Sequence, residues 1–407
     1  MQSGMRTFVR VVLVAMMLLV GQSARPQRVS DDITVTVLTC SPGQLVYELY
    51  GHTAIRVVDH TLGTDVVFNY GVFDFTQDNF EWHFLLGATD YMVMPLPYGV
   101  FADEYVRRGS SIVSQELNLT REEANELYNR LIENARPENR VYRYNYLTND
   151  CTTKVRDIIE QSVHGRVVYK EQDKRTYRQS LHEWTAEYPW TEAGEDLLLG
   201  ATTDTLLDDR SAQFLPERLH SYLTDATVYD SVNNARPLLK GKEVVLLEAR
   251  EMPVGEDFPL SPLQCGLIFV AVMVLIAGIE YGIRYQLWFI DLLLMPGVGA
   301  AGLLVTFMFF FSEHPSVDAN WQIWVLNPLP LICLPWVVKD AIQHRRCYYH
   351  YANVLLLASF LVASPWIPQS FSILTLPLVL GMLTRPISYI VNFNRLKTKK
   401  TKSRKKK

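Results

Sequence analysis

The chain has 407 residues, 48% of them hydrophobic, and a net charge of −4. The mean hydropathy of +0.03 is too high for an ordinary soluble protein, so part of the chain is expected to lie in lipid. The length is sufficient for two domains.

The first 24 residues have the order of a secretory signal peptide. Arg6 and Arg10 precede an apolar run over 11–20, and small or polar residues follow over 21–24. An uncleaved anchor is the alternative, although the apolar run is shorter than the ~20 residues that a membrane span needs.

Residues 25–262 have the composition of a folded domain with mixed secondary structure. Short β-branched runs predict strands over 31–38, 54–58, 64–70, 140–146 and 242–248. A Thr120-x-x-Glu123 capping box begins a predicted helix that continues to Glu133, and Pro137 ends it. A second helix, capped by Asn149 and Asp150, is predicted over 151–161, and 180–223 is predicted to be mostly helical. This order predicts an α+β fold.

From residue 263 the composition becomes strongly apolar, which predicts a transmembrane domain over 263–393 with about five helices. The apolar runs cover 265–282, 287–311, 322–338, 353–368 and 371–391.

The connectors between these runs differ in positive charge. Arg284, Lys339, Arg345 and Arg346 lie in two connectors, whereas 312–321 and 365–370 contain neither Lys nor Arg. The positive-inside rule therefore predicts that the C-terminus is cytoplasmic and that 25–262 lies outside, in the periplasm of a bacterial inner-membrane protein. The tail 394–407 is strongly basic, and its position beside a span favours contact with anionic headgroups over nucleic acid.

His52 and Cys151 are the candidate catalytic pair. His52 begins a predicted strand and Cys151 begins a predicted helix, where the helix N-terminus and a nearby imidazolium would lower the pKa of the thiol. Gly51 would let a partner or a substrate approach the strand closely. The alternatives are a Cys40–Cys151 disulfide or simple packing for the cysteine, and a structural role for the histidine.

A third residue is needed to orient the imidazole ring of His52. Asn69 is the first candidate, and His60, Asp65 and Asp74 are the others. Tyr70 beside Asn69 is a candidate substrate contact, as are Glu313 and His314, although a solvated loop is an equally simple interpretation of the latter two. No metal, phosphate or dinucleotide motif is present in the sequence, so neither a metal nor a cofactor is expected.

Several segments together resemble the external domain of the Lnb family, over roughly 31–235. They are GHTAIRV at 51–57, VFNYGVFDF at 67–75, LNLT at 117–120, RPENRVYRYNY at 136–146 and CTTKVRD at 151–157. The resemblance implies a permuted papain-like domain with Cys151 as nucleophile and His52 as base. Members usually have Asn directly before the cysteine; here Asp150 holds that place, and we expect its side chain to point away as a helix cap.

The resemblance also implies a function, lipoprotein N-acylation. A fatty acyl chain would move from a membrane phospholipid, through a thioester on Cys151, to the α-amine of a diacylglyceryl-cysteine on a lipoprotein. A membrane-anchored cysteine hydrolase acting on peptidoglycan or phospholipid is one alternative. A non-enzymatic membrane scaffold is the other.

Overall fold

The computed structural model describes residues 30, 32–73, 79–170, 174–250, 255 and 258–404. The predicted signal peptide over 1–24 and Asp74 lie outside the described residues. The described chain forms an external α+β domain followed by a helical membrane domain, which confirms the predicted fold class.

The strands of the external domain are β1 Ile33–Cys40, β2 His52–Asp59, β3 Thr64–Val72, β4 Asp90–Pro97, β5 Ile112–Glu116, β6 Val141–Arg143, β7 Arg166–Val168, β8 Thr227–Tyr229, β9 Ala235–Pro237 and β10 Val244–Leu247. Seven of them form an antiparallel sheet with strand order β10-β5-β1-β2-β3-β4-β6. A smaller antiparallel sheet has the order β7-β8-β9. Alternate residues of β1 face opposite sides, so Val35 and Val37 enter one core while Leu38 and Cys40 enter another.

The helices of this domain are α1 Phe80–Leu85, α2 Tyr98–Arg108, α3 Arg121–Asn134, α4 Cys151–Ser162, α5 Tyr177–Thr185, α6 Pro189–Leu198 and α7 Pro216–Thr224. They cover both faces of the large sheet: Phe101 and Tyr105 of α2 pack on one face, and Leu127 of α3 and Ile159 of α4 pack on the other. The capping box of α3 is formed, as the sequence predicts, and Asp150 caps α4. Asn149, the other predicted cap residue of α4, instead donates through Nδ2 to the Arg143 carbonyl.

Five further helices form the membrane domain in the described part of the chain. Four segments are long and apolar enough to cross a membrane, namely Pro262–Ile283, Trp288–Phe311, Trp321–Ile342 and Thr375–Leu396. The helix in the region of the predicted fourth run has 16 residues, fewer than the ~20 of a straight span. The helices are α8 Pro262–Ile283, α9 Trp288–Phe311, α10 Leu329–Ile342, α11 Tyr348–Ala363 and α12 Thr375–Arg404.

Polar contacts fasten the external domain to two loops of the membrane domain. The end of α6 and the segment after it supply backbone groups: the Gly200 amide donates to the Ser316 hydroxyl at 2.9 Å, and the Leu197 carbonyl accepts from Asn320 Nδ2 at 2.9 Å. The Leu199 carbonyl accepts from Gln369 Nε2 at 3.1 Å. Buried backbone groups need partners, so these bonds hold the two domains at a defined separation.

Gly200 lies so close to the membrane domain that it cannot carry a side chain without a shift of one domain. A Cβ at this position would lie 2.1 Å from the Ser316 carbonyl oxygen and 2.6 Å from the Ala319 carbonyl carbon. We therefore expect Gly200→Ala to loosen the interface, measured as faster amide hydrogen exchange over 197–204 and 316–322 in the full-length protein.

Gly194→Ala is the matched control, because nothing lies within 4 Å of its added Cβ. Exchange in these two segments should then stay at the wild-type rate. Equal exchange in wild type and Gly200→Ala would show that this contact does not hold the domains together.

Candidate active site

Cys151 is the first residue of α4, and Asp150 caps this helix. Asp150 Oδ1 accepts the Thr153 amide at 2.8 Å and the Thr153 hydroxyl at 2.9 Å. The carboxylate is therefore directed toward the backbone of the first helical turn, the expected cap geometry. The Cys151 side chain is 8% exposed and belongs to the core between the sheet and α4.

His52 is the first residue of β2, and its ring is held by Asn69 of β3. His52 Nε2 lies 2.6 Å from Asn69 Oδ1. Because an amide oxygen only accepts, Nε2 carries the proton and Nδ1 of a neutral ring keeps its lone pair. The other described candidates lie elsewhere: His60 contacts the Thr34 hydroxyl at 3.1 Å, and Asp65 pairs with Arg56 at 2.7 Å.

Cys151 and His52 both border the space beside Gly71, near the end of β3. A Cβ built on Gly71 would lie 3.6 Å from Cys151 Cβ, 3.8 Å from Tyr144 Cε2 and 4.0 Å from His52 Cε1. The space that a side chain would fill is thus bordered by the candidate nucleophile, the candidate base and an aromatic ring. The backbone of Gly71 has φ +85°, a conformation that also favours glycine.

Gly51 has a different role from the one expected. A Cβ there would lie 2.6 Å from the Cys40 carbonyl oxygen, and φ is +73°. The close approach that requires a glycine is therefore made by the backbone of β1, not by a substrate.

Burial sets the protonation states of the pair. It raises the pKa of the Cys151 thiol, although hydrogen bonds from the Thr53 and Thr152 backbones act in the opposite direction. The expected lowering of this pKa is therefore wrong. Burial also lowers the pKa of His52, against the opposing effect of its bond to Asn69. Near pH 7 the resting pair is a neutral thiol and a neutral imidazole, which is suited to general-base activation.

A row of aromatic rings leads from Cys151 to the surface. Tyr144 stacks on Tyr91 with ring centroids 4.1 Å apart, Tyr91 lies 5.0 Å from Phe73, and Phe73 lies 6.3 Å from Tyr47. Tyr47 is 61% exposed beside Leu45 and Val46, which are also exposed. Tyr144 and Phe73 lie within segments that carry the family resemblance, and this is the sequence signal that could have identified them.

Three residues predicted as substrate contacts have other partners. Tyr70 is 2% exposed in the core, and its hydroxyl accepts from Asn134 Nδ2 at 2.9 Å. Glu313 pairs with Arg143 at 2.9 Å, and His314 Nε2 donates to the Phe84 carbonyl at 2.6 Å. Tyr70 therefore packs in the core, whereas Glu313 and His314 bind the external domain to the membrane domain.

The alternative of a Cys40–Cys151 disulfide is not realised, since both thiols are free. Cys40 lies in the core on the α2 side of the sheet, whereas Cys151 lies in the core on the α4 side. Among the described residues, no group of three or more His, Cys, Asp or Glu side chains is arranged to hold a metal ion.

Gly71→Ala should slow alkylation of Cys151 strongly, because the new methyl group fills the space that Cys151 and His52 border. The positive φ should also lower the stability of the domain by about 1 kcal/mol. Gly63→Ala is the matched control, with φ +65° and nothing within 4 Å of its Cβ. Peptide mapping after iodoacetamide treatment should show slow labelling only in Gly71→Ala; equal labelling in both variants would contradict this geometry.

The pH dependence of Cys151 alkylation should show the effect of burial. The rate should rise with an inflection above the ordinary thiol value of about 8.5, because the buried thiol ionises late. Asp150→Asn should keep the helix cap and move the inflection to lower pH, because a carboxylate beside a thiolate opposes ionisation. A wild-type inflection at or below about pH 7 would contradict this and show a resting pair of Cys151 thiolate and His52 imidazolium.

Comparison with known families gives two matches that together cover most of the chain. Residues 25–183 match the Lnb N-terminal periplasmic domain, and residues 254–397 match the Lnb transmembrane domain. The chain matches no curated protein and no solved structure. The protein thus belongs to the Lnb family, in which a periplasmic domain is joined to a transmembrane domain.

Proposed function

We propose that this protein is a lipoprotein N-acyltransferase with Cys151 as acyl carrier. The observation that carries the proposal is that Cys151 and His52 border one space beside Gly71, in a domain that is hydrogen-bonded to the membrane domain. The acyl donor is a phospholipid, and the acceptor is the α-amine of a diacylglyceryl-cysteine.

In the first half-reaction Cys151 Sγ attacks the ester carbonyl of the phospholipid. His52 Nδ1 accepts the thiol proton, while the bond from Nε2 to Asn69 keeps the ring in this orientation. Backbone amides at the start of α4 stabilise the oxyanion. The ester C–O bond breaks, the leaving lysophospholipid oxygen takes the proton from His52, and a thioester remains on Cys151.

In the second half-reaction the α-amine of the lipoprotein attacks the thioester carbonyl. His52 accepts a proton from the attacking amine and returns one to the sulfur as the C–S bond breaks. The products are an N-acylated lipoprotein and the free thiol. Because Cys151 is 8% exposed and bordered by Tyr144, water has little access to the thioester, which favours transfer to an amine over hydrolysis.

The position of the site relative to the bilayer supports lipid substrates. Arg143 pairs with Glu313, and the Tyr146 hydroxyl donates to the Pro315 carbonyl. The segment that holds Arg143 and Tyr146 continues directly into Cys151. Trp82 of α1 lies 5.3 Å from Phe307 near the end of α9, and it is half exposed, as are aromatic residues at membrane interfaces. Both substrates can therefore reach the site laterally from the membrane.

Cys151→Ser should abolish N-acylation of lipoproteins in cells that rely on this protein, because a serine hydroxyl ionises far less readily than a thiol and an oxygen ester reacts more slowly with amines than a thioester does. Mass spectrometry of lipoprotein N-termini should show free α-amines. His52→Ala should lower the rate by about 10²–10⁴-fold, the usual contribution of a general base.

Cys265→Ser makes the same substitution in α8 of the membrane domain and should leave N-acylation unchanged. N-acylated lipoproteins at the wild-type level in Cys151→Ser cells would overturn the proposal. If lipoproteins lack the N-acyl group in the wild-type strain as well as in the variants, and lysophospholipid is released, the protein is a hydrolase instead.

A further inference from the structure

The membrane domain contains a small, half-open cavity between its helices, separate from the site at Cys151. Residues from all five helices line it. Its polar lining includes Asp291 of α9, His350 of α11 and Arg385 of α12. The cavity volume is about 40 Å³, enough for a small polar group such as an ammonium but not for a whole headgroup.

The cavity borders a buried network with an excess of negative charge. Arg385 donates to both oxygens of Asp291, at 3.1 and 2.5 Å, and to Glu280 Oε1 at 2.8 Å. Asp291 is 2% exposed and Glu280 is fully buried. One guanidinium thus faces two carboxylates, and ionised groups within a membrane domain are costly unless their charge is balanced. A cationic group in the cavity would provide this balance.

His350 supplies a second, independent observation that points to a ligand. Its ring is 1% exposed, and neither Nδ1 nor Nε2 has a hydrogen-bond partner. Buried polar groups are almost always satisfied, so an unpartnered ring that lines a cavity indicates a missing partner. A ligand that donates a hydrogen bond to the unprotonated ring nitrogen would supply it.

The lining is polar at one end and apolar at the other. Asp291 and His350 lie in the first turns of α9 and α11, at the end of the bundle remote from the loops that contact the periplasmic domain. Phe269, Val298 and Pro330 lie farther toward the periplasmic end. This polarity matches a lipid of the remote leaflet, with its headgroup at the bundle end and its chains directed inward.

We propose that this cavity binds the ammonium group of an aminophospholipid from the leaflet remote from the periplasmic domain. The ammonium group lies against Asp291 and His350 and the phosphate lies outside the cavity, so that one positive charge balances the carboxylate that Arg385 leaves in excess. The proposal does not rest on acyl transfer, because it concerns binding at a different site.

Native mass spectrometry of the purified full-length protein tests the proposal directly. Phosphatidylethanolamine and phosphatidylglycerol with the same acyl chains are added in equal amounts. Wild type should retain phosphatidylethanolamine about tenfold more than phosphatidylglycerol, and His350→Leu should reduce this retention about tenfold, the effect of one hydrogen bond to a charged group.

Trp366→Leu is the control, since Trp366 is 79% exposed and does not line the cavity. If His350→Leu fails to elute as a folded protein, Asn353→Leu is used instead. Asn353 lines the same cavity outside the charged network, and its replacement should cause the same loss of phosphatidylethanolamine retention. Equal retention of both lipids by wild type, preference for phosphatidylglycerol, or unchanged retention in the folded cavity variants would overturn the proposal.

Discussion

The absence of a side chain at Gly71 is the constraint on which the candidate site depends. Because this position carries no side chain, Cys151 of α4 and His52 of β2 can border one space. Cys151 Cβ lies 3.6 Å, and His52 Cε1 4.0 Å, from the point where a Cβ of Gly71 would lie. The cap at Asp150 fixes where α4 begins, and antiparallel pairing of β2 with β3 brings Asn69 to the His52 ring. The chemistry therefore follows from a helix start, a strand register and one missing side chain.

The membrane domain does more than anchor this arrangement. Its external loops bind the segment after α6 through Gly200 and the segment before α4 through Arg143. The candidate catalytic pair is thus held next to the membrane domain, and the proposed lipid substrates would diffuse in the surrounding bilayer. Burial keeps the thiol protonated at rest, so the proposed chemistry relies on His52 as a base and on a bound ester rather than on a permanent thiolate.

Local signals made the elements near the site predictable, whereas features set by packing were not. The Thr120-x-x-Glu123 box and the cap before Cys151 act within one helical turn, and both helices begin where predicted. The thiol pKa depends on burial, which no local pattern reports. The burial of Tyr70 is also set by packing: Tyr70 belongs to the same core as Cys151, packed against α3 and α4, and no local pattern reports it.

The most direct test of the account is detection of an acyl group on Cys151 itself. Purified protein is incubated with a phospholipid that carries an isotope-labelled acyl chain, without an acceptor, and analysed by intact-mass and peptide mass spectrometry. We predict a mass increase of one acyl chain on the Cys151 peptide, removed by neutral hydroxylamine, as a thioester requires. N-acylation of an added lipoprotein by protein that never carries this adduct would contradict the account.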